Sequence, residues 1–158
     1  METCQKMKLI LKKKIPNLEA SRQFAKAFYD EFLKEEQSFT VFFEGGLGSG
    51  KTFLIREMLR LAGVKDEISS PTYIFLNEYT ARERTFAHFD FYRFKNPAEF
   101  FARGFGETAE DREISKFVEW PDKITPETEK SFSGARYTII LKHGVGVGMR
   151  EASVISDD

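Results

Sequence analysis

The sequence predicts an α/β sandwich with a mostly parallel central sheet and an antiparallel pair of strands at its end. Three observations carry this. Strand-length apolar segments alternate with amphipathic helical ones, the order that builds parallel βαβ units. Phe39-Thr40-Val41-Phe42-Phe43 is a continuous apolar run, which suits a central strand buried on both faces. Residues 137–142 and 151–155 are two strand-like runs joined by His143-Gly144-Val145-Gly146-Val147-Gly148, the composition of a hairpin loop.

The remaining elements follow in order. Residues 8–13 form a short strand inside a basic cluster of Lys6, Lys8, Lys12, Lys13 and Lys14. Lysines in that density fit a solvated sheet edge guarded against mispairing, with a nucleic-acid contact as the other reading. Pro16-Asn17 opens a helix running to Leu33, with Leu18, Phe24, Ala25, Phe28, Phe32 and Leu33 at helical spacing. After the strand at 39–43 and a glycine loop, Leu54, Ile55, Met58, Leu59 and Ala62 mark one helix face, and Gly63 ends the helix. A Ser-Pro-Thr loop leads to strands at 73–79 and 85–91. Pro97 starts a short helical stretch, and 116–118 is a short strand ending at Glu119-Trp120-Pro121.

A length of 158 residues fits one domain spanning residues 1–158. Apolar residues make up 41% and include 17 Phe, enough to bury a core, so global disorder is excluded. Lys and Arg (24) nearly balance Asp and Glu (25), which argues against a protein that holds polyanions by bulk charge. Cys4 is the sole cysteine, so no internal disulfide forms, as in a reducing compartment. No apolar run reaches the length of a signal core or a membrane span. A soluble cytoplasmic protein is expected.

Gly45-Gly46-Leu47-Gly48-Ser49-Gly50-Lys51-Thr52 matches G-x-x-x-x-G-K-[ST]. Its glycines let backbone N–H groups turn inward around a polyphosphate. The helix that follows offers free N–H groups and the positive end of its dipole. Lys51 reaches the β- and γ-phosphates, and the Thr52 hydroxyl suits Mg²⁺. Chance yields such a match in roughly 0.5% of chains this long at ordinary residue frequencies. The strand before and the helix after are the context the motif requires. The expected fold is therefore of the P-loop NTPase type, with Gly45 through Phe53 as the nucleotide-binding segment.

Such a site also needs an acid at the end of a neighbouring strand. Asp90 and Glu119 each interrupt an apolar run, a costly arrangement unless something pairs with the charge. Both are candidates for the metal and for catalysis beside Lys51. His88, at an alternate strand position, reads more readily as a packed histidine than as a base. Ser70-Pro71-Thr72 reads as a hydroxyl-bearing turn from composition alone, and as a γ-phosphate-sensing switch if it faces the loop. Glu107 taken alone reads as a surface charge, and after Gly104-Phe105-Gly106 it is also a candidate nucleotide or partner contact. No Asn-Lys-x-Asp guanine-reading motif occurs, which favours ATP.

Together the phosphate loop, Ser70-Pro71-Thr72, His88-Phe89-Asp90-Phe91-Tyr92-Arg93 and Glu119-Trp120-Pro121 resemble the TsaE (YjeE) family of bacterial P-loop ATPases. Glu99-x4-Gly104-x2-Glu107 is similar to a further family pattern. The resemblance implies a role in the threonylcarbamoyl-adenosine modification of tRNA. It implies ATP and Mg²⁺ as cofactors and a TsaB–TsaD complex as partner, with tRNA met only through that complex. By the same resemblance Asp90 and Glu119 are the essential acids, Trp120 is their neighbour, and Ser70 to Thr72 form the switch. Phe53 departs from the family, which often has Thr or Ser there. Arg93 is the nearest suspect for an internal arginine finger. A small metabolite kinase is the alternative, with the segment between Arg93 and Lys116, carrying Arg103 and Arg112, as its lid. A third reading is a nucleotide-dependent assembly factor.

Overall fold

In the computed structural model, which describes residues 6–157, the chain runs β1 (Met7–Ile15), α1 (Leu18–Phe28), β2 (Phe39–Glu44), α2 (Lys51–Ala62), β3 (Leu76–Ala81), β4 (Arg84–Asp90), α3 (Glu99–Ala102), α4 (Phe105–Glu110), β5 (Ile114–Glu119), α5 (Pro126–Lys130), β6 (Ala135–His143) and β7 (Arg150–Asp157). Cys4 lies outside the described residues. The strands form one sheet in the order β1-β7-β6-β2-β5-β4-β3. The central β6, β2, β5 and β4 are parallel. β7 pairs antiparallel with β6, and β1 with β7. The expected architecture is therefore present, and the lysine-rich first strand is an edge whose Lys8, Lys12, Lys13 and Lys14 are exposed.

The far edge differs from the expectation. β3 pairs antiparallel with β4 through Arg82 and Glu83, both at positive φ (51° and 64°). Two-residue hairpins of this kind usually carry Asn or Gly, so their composition gives no warning here. The strand expected at 73–79 begins only at Leu76. Ile74 and Phe75 both donate backbone N–H bonds to Pro71 O (3.2 and 2.6 Å), and Phe75 sits at φ 68°, so the chain turns before it extends. That turn leaves Tyr73 and Ile74 exposed.

Local chemistry sets the helix ends. Asn17 Oδ1 accepts from Ala20 N–H (2.8 Å) and caps α1. The helix expected to reach Leu33 is α-helical only to Phe28, then widens into a π-turn over Tyr29–Leu33. Lys34 N–H bonds Tyr29 O (2.9 Å), and both Tyr29 and Leu33 are buried. α4 and α5 were not foreseen, being too short to show periodicity.

The phenylalanines divide between the two sheet faces. Phe39, Val41 and Phe43 of β2 join Phe86 and Phe117 under α1 and α2. Phe42 and Phe89 point the other way, into a cluster with Phe91, Phe100, Phe105 and Phe132. No helix among the described residues is long and apolar enough to cross a membrane.

One buried charge has a measurable consequence. Lys116 on β5 is fully buried, and its Nζ donates to Asp111 O (2.6 Å) and Ser133 Oγ (2.7 Å). Burial pushes its pKa from the ordinary 10.5 down to about 8, against the opposing pull of Asp111. Above pH 8 the unfolded chain still holds this proton and the folded one does not, so stability rises with pH toward 10.5. Tyr29 and Tyr137, raised by burial from 10.0, act only above that value. The thermal midpoint is therefore expected to rise between pH 8 and pH 10 relative to a Lys116→Met variant. Parallel pH profiles for the two proteins would show that Lys116 does not titrate there.

Candidate active site

The candidate residues meet at the carboxyl ends of the parallel strands, where open α/β sheets hold their ligands. Gly45 follows β2 directly, and Lys51 opens α2. A Cβ on Gly45 would lie 2.7 Å from Ser49 Oγ and 2.9 Å from Leu141 O, so only glycine fits this close approach. Gly50, at φ 100°, precedes α2, and no side chain caps that helix. Its first amides are left for an anion. Lys51 Nζ donates to Gly45 O (2.6 Å) and Gly46 O (2.9 Å) and lies 3.4 Å from Ser49 Oγ. The loop's own carbonyls thus hold the amine at its centre. Burial lowers the Lys51 pKa, and Glu119, Asp90 and Asp122 pull it back up.

Strand register brings the two acids side by side. Asp90 and Glu119 are paired positions at the ends of β4 and β5. Thr52 Oγ1 donates to Glu119 Oε1 (2.8 Å), which leaves the lone pairs of its oxygen for a cation. Glu119 Oε2 lies 2.7 Å from His88 Nε2, and both side chains are buried. A carboxylate only accepts, so Nε2 carries the hydrogen, and Nδ1 is buried without a partner among the described residues. His88 is thus packed, as expected, and also fixes Glu119.

The Ser-Pro-Thr segment reaches the same place. Thr72 Oγ1 donates to Asp90 Oδ2 (2.9 Å) and lies 2.7 Å from Ser70 Oγ, which must therefore supply the hydrogen between them. Asp90 Oδ1 accepts from Tyr92 N–H (2.9 Å). The loop that composition alone reads as an ordinary turn is tied to one of the two acids. Trp120, at φ 59°, turns its ring back over the loop. Lys51 Nζ lies 4.0 Å from the ring centroid, and Tyr92 packs against it at 4.9 Å.

These groups enclose a cavity of about 390 Å³, lined by Leu47 through Phe53, Ser70, Thr72, Asp90, Tyr92, Glu119 and Trp120, with Leu18 and Arg150 at its margin. A wider, shallower cleft of about 680 Å³ lies among Ser38, Arg112 and Gly134, where β2 and β6 begin rather than end. Of the residues singled out in the sequence, Gly45, Gly46 and Pro71 flank this lining without belonging to it, and Arg93 and Glu107 lie away from it. Arg93 stacks on Tyr73, with its guanidinium carbon 4.6 Å from the ring centroid, and Glu107 is exposed in the first turn of α4. Arg150 and Leu18 carry no motif and were missed. Among the described residues no three His, Cys, Asp or Glu side chains form a metal cage.

A parallel sheet, a glycine loop cradling a lysine, and an acid bonded to the following threonine define a P-loop protein of the α/β class. The model of the family "Threonylcarbamoyl adenosine biosynthesis protein TsaE" matches residues 15–146. The chain belongs to that family. It is 34% identical over 120 residues to the tRNA threonylcarbamoyladenosine biosynthesis protein TsaE of Haemophilus influenzae, covering 73% of this chain and 75% of the relative. It is 30% identical over 120 residues to the TsaE of Treponema pallidum, covering 75% and 83%. The crystal structure of Bacillus subtilis YdiB shares the fold, with a TM-score of 0.68 at 22% identity, over 97% of this chain and 88% of that one.

Proposed function

We propose that this protein binds and hydrolyses ATP with Mg²⁺ as the ATPase component of the tRNA threonylcarbamoyl-adenosine machinery, acting on a TsaB–TsaD complex. The supporting observation is the contact of Thr52 with Glu119 at the mouth of a loop that already holds Lys51. The loop amides and Lys51 bind and orient the phosphates. Thr52 and the two acids fit a hard cation, which when bound would neutralise charge on the β- and γ-oxygens. In this reading Glu119, clamped by Thr52 and His88, orients the attacking water or the cation shell. Trp120 screens Lys51 from solvent and so strengthens its attraction for phosphate.

The kinase alternative loses its main support. Arg103 is bonded to Glu99 (3.1 Å) and stacked on Phe75, while Arg112 lines the wide cleft at the other end of the strands. Phe100 and Phe105 anchor the supposed lid in the core. An assembly factor with incidental hydrolysis would still function with its acids neutralised. In cells whose own copy is deleted, the wild-type gene is expected to restore threonylcarbamoyl-adenosine in tRNA nucleosides, and a Glu119→Gln gene is not. Full restoration by both would support the assembly reading.

His88 offers a finer test. Removing a group that orients a metal-site ligand typically costs 10–100-fold. His88→Leu is expected to lower kcat for ATP hydrolysis by about that factor with little change in KM, and His88→Gln, which keeps an N–H donor, to recover most of it. Equal loss in both variants would reduce His88 to packing.

A further inference from the structure

The side of the sheet away from α1 and α2 is only half covered. There β2, β5 and β4 send Phe42, Val118 and Phe89 into a cluster with Phe100 of α3 and Phe105 of α4. No helix among the described residues supplies a matching core over β6, β7 and β1. Their buried positions, Ile139, Leu141, Ala152 and Val154, pack under α1 and α2 instead. Residues that alternate with these face the open side, so register places Ile140 and Ile155 there together with Leu9 of β1. None of the three belongs to either core cluster, and Leu9 is 57% exposed.

A β-bulge puts Leu9 on that side. Leu9 pairs with Ile155 and Leu11 with Val154, so two steps along β1 match one along β7. A regular strand would leave Leu9 on the same side as Leu11, which packs against the core. The bulge thus re-aims an apolar side chain into solvent. The same face is basic toward the hairpin. Lys14, Glu151 and Lys142 form one cross-strand row, and Glu151 pairs with Lys12 (3.4 Å). Lys14 and Lys142 are exposed, with no carboxylate partner among the described residues. Lys142 belongs to β6, an interior strand, so protection of a sheet edge does not account for it. At the far end of the face Asp157 is held by Arg136 (3.2 Å).

We infer that this face docks an amphipathic helix of the protein complex on which the ATPase acts, with the helix's apolar stripe over Leu9, Ile155 and Ile140 and its acidic flank on Lys14 and Lys142. This rests on the partner reading above and adds to it a surface outside the nucleotide cavity. Three strands about 4.8 Å apart span roughly 10 Å, the diameter of one helix. A second copy of this chain is a poorer occupant. The face's own carboxylates, Glu151 and Asp157, are taken by Lys12 and Arg136, so a self-contact leaves both lysines unmatched. RNA is poorer too, because no aromatic ring of these three strands stands on this face to stack a base.

The test measures affinity for the purified TsaB–TsaD pair, with Mg²⁺-ATP present, by calorimetry. The proteins are the wild-type chain, Leu9→Glu, Leu9→Ile and the double variant Lys14→Glu/Lys142→Glu. All three positions are exposed, so the thermal midpoint and the ATPase rate of the isolated chain should stay at wild-type values. Leu9→Glu is expected to weaken the complex roughly 10-fold, because it removes apolar burial and sets a carboxylate against an acidic helix. Leu9→Ile should keep the affinity within roughly 3-fold. The double charge reversal should weaken binding roughly 10-fold at low salt, with a smaller difference at high salt. Unchanged affinity in both Leu9→Glu and the double variant would overturn the proposal and leave the partner reading standing. So would a dimer of the isolated chain that Leu9→Glu dissociates, or binding of free tRNA that the double variant abolishes. Failure of the partner reading looks different: the wild-type chain would then not bind the pair at all, and the docking face would fall with it.

Discussion

Glu119→Gln is expected to abolish ATP hydrolysis while ATP remains bound. Glu119 ties the start of α2 to β4, through Thr52 on one oxygen and His88 on the other. The amide keeps the size and can still accept from Thr52, so the loop should keep its shape. It cannot supply negative charge to a cation or a water. Removing one preorganised electrostatic group from a reaction centre commonly costs about 100–1,000-fold in rate. A smaller structural cost accompanies it. The Gln amide presents N–H toward the His88 Nε2–H, so the imidazole must move its hydrogen to Nδ1, which has no partner among the described residues. An unsatisfied buried donor costs about 1–3 kcal/mol, visible as a lower thermal midpoint but short of unfolding. Phosphate release in the presence of partners, beside calorimetric ATP binding, checks both halves. Hydrolysis at the wild-type rate would make Glu119 structural. Asp90→Asn is the companion variant, since it weakens the Thr72 contact without touching Thr52.

Lys51→Ala is expected to have the largest effect on binding. A charge-assisted hydrogen bond contributes on the order of 1.5–3 kcal/mol, so ATP affinity should fall roughly 10–150-fold. Loss of the bonds to Gly45 O and Gly46 O costs the fold, and two effects offset that cost. Burial already disfavours the charged amine, as its lowered pKa shows, and alanine is a strong helix former at the first position of α2. A thermal midpoint changed little in either direction, together with weak ATP binding, is the predicted signature. Calorimetry showing undiminished affinity would remove the phosphate-loop reading.

How far the sequence foretells this site depends on how local each contact is. The phosphate loop is contiguous, so its eight residues and the elements flanking it can be read directly. Asp90 and Glu119 stand out because a charge at the end of an apolar run requires a partner. Their partners are less legible. The His88–Glu119 contact spans 31 positions and exists only because β4 lies beside β5. The Arg150–Gly48 contact spans 102, and its arginine belongs to an unremarkable hairpin strand. The Ser70-Pro71-Thr72 segment has the composition of any turn; only its bond to Asp90 marks it as part of the site. The antiparallel β3–β4 edge escaped notice because its turn uses Arg82 and Glu83 in place of glycine or asparagine. Arg93 has the chemistry of a finger, but its planar cation stacks on Tyr73 outside the cavity.

The proposed action on a TsaB–TsaD complex entails that the partner controls hydrolysis, and three features favour it. Among the described residues no arginine lines the acidic half of the cavity: Arg93 is on Tyr73, and Arg150 lies at the opposite margin. Tyr73 and Ile74, 77% and 62% exposed beside Thr72, leave the switch segment open to a docking surface. A net charge of −1 gives free tRNA little bulk attraction. The decisive measurement is the ATPase rate of the isolated chain, then with tRNA, then with the TsaB–TsaD pair. Slow turnover alone, no response to tRNA and acceleration by the protein pair is the predicted pattern. Full activity in isolation, or stimulation by tRNA without the pair, would contradict partner-gated hydrolysis.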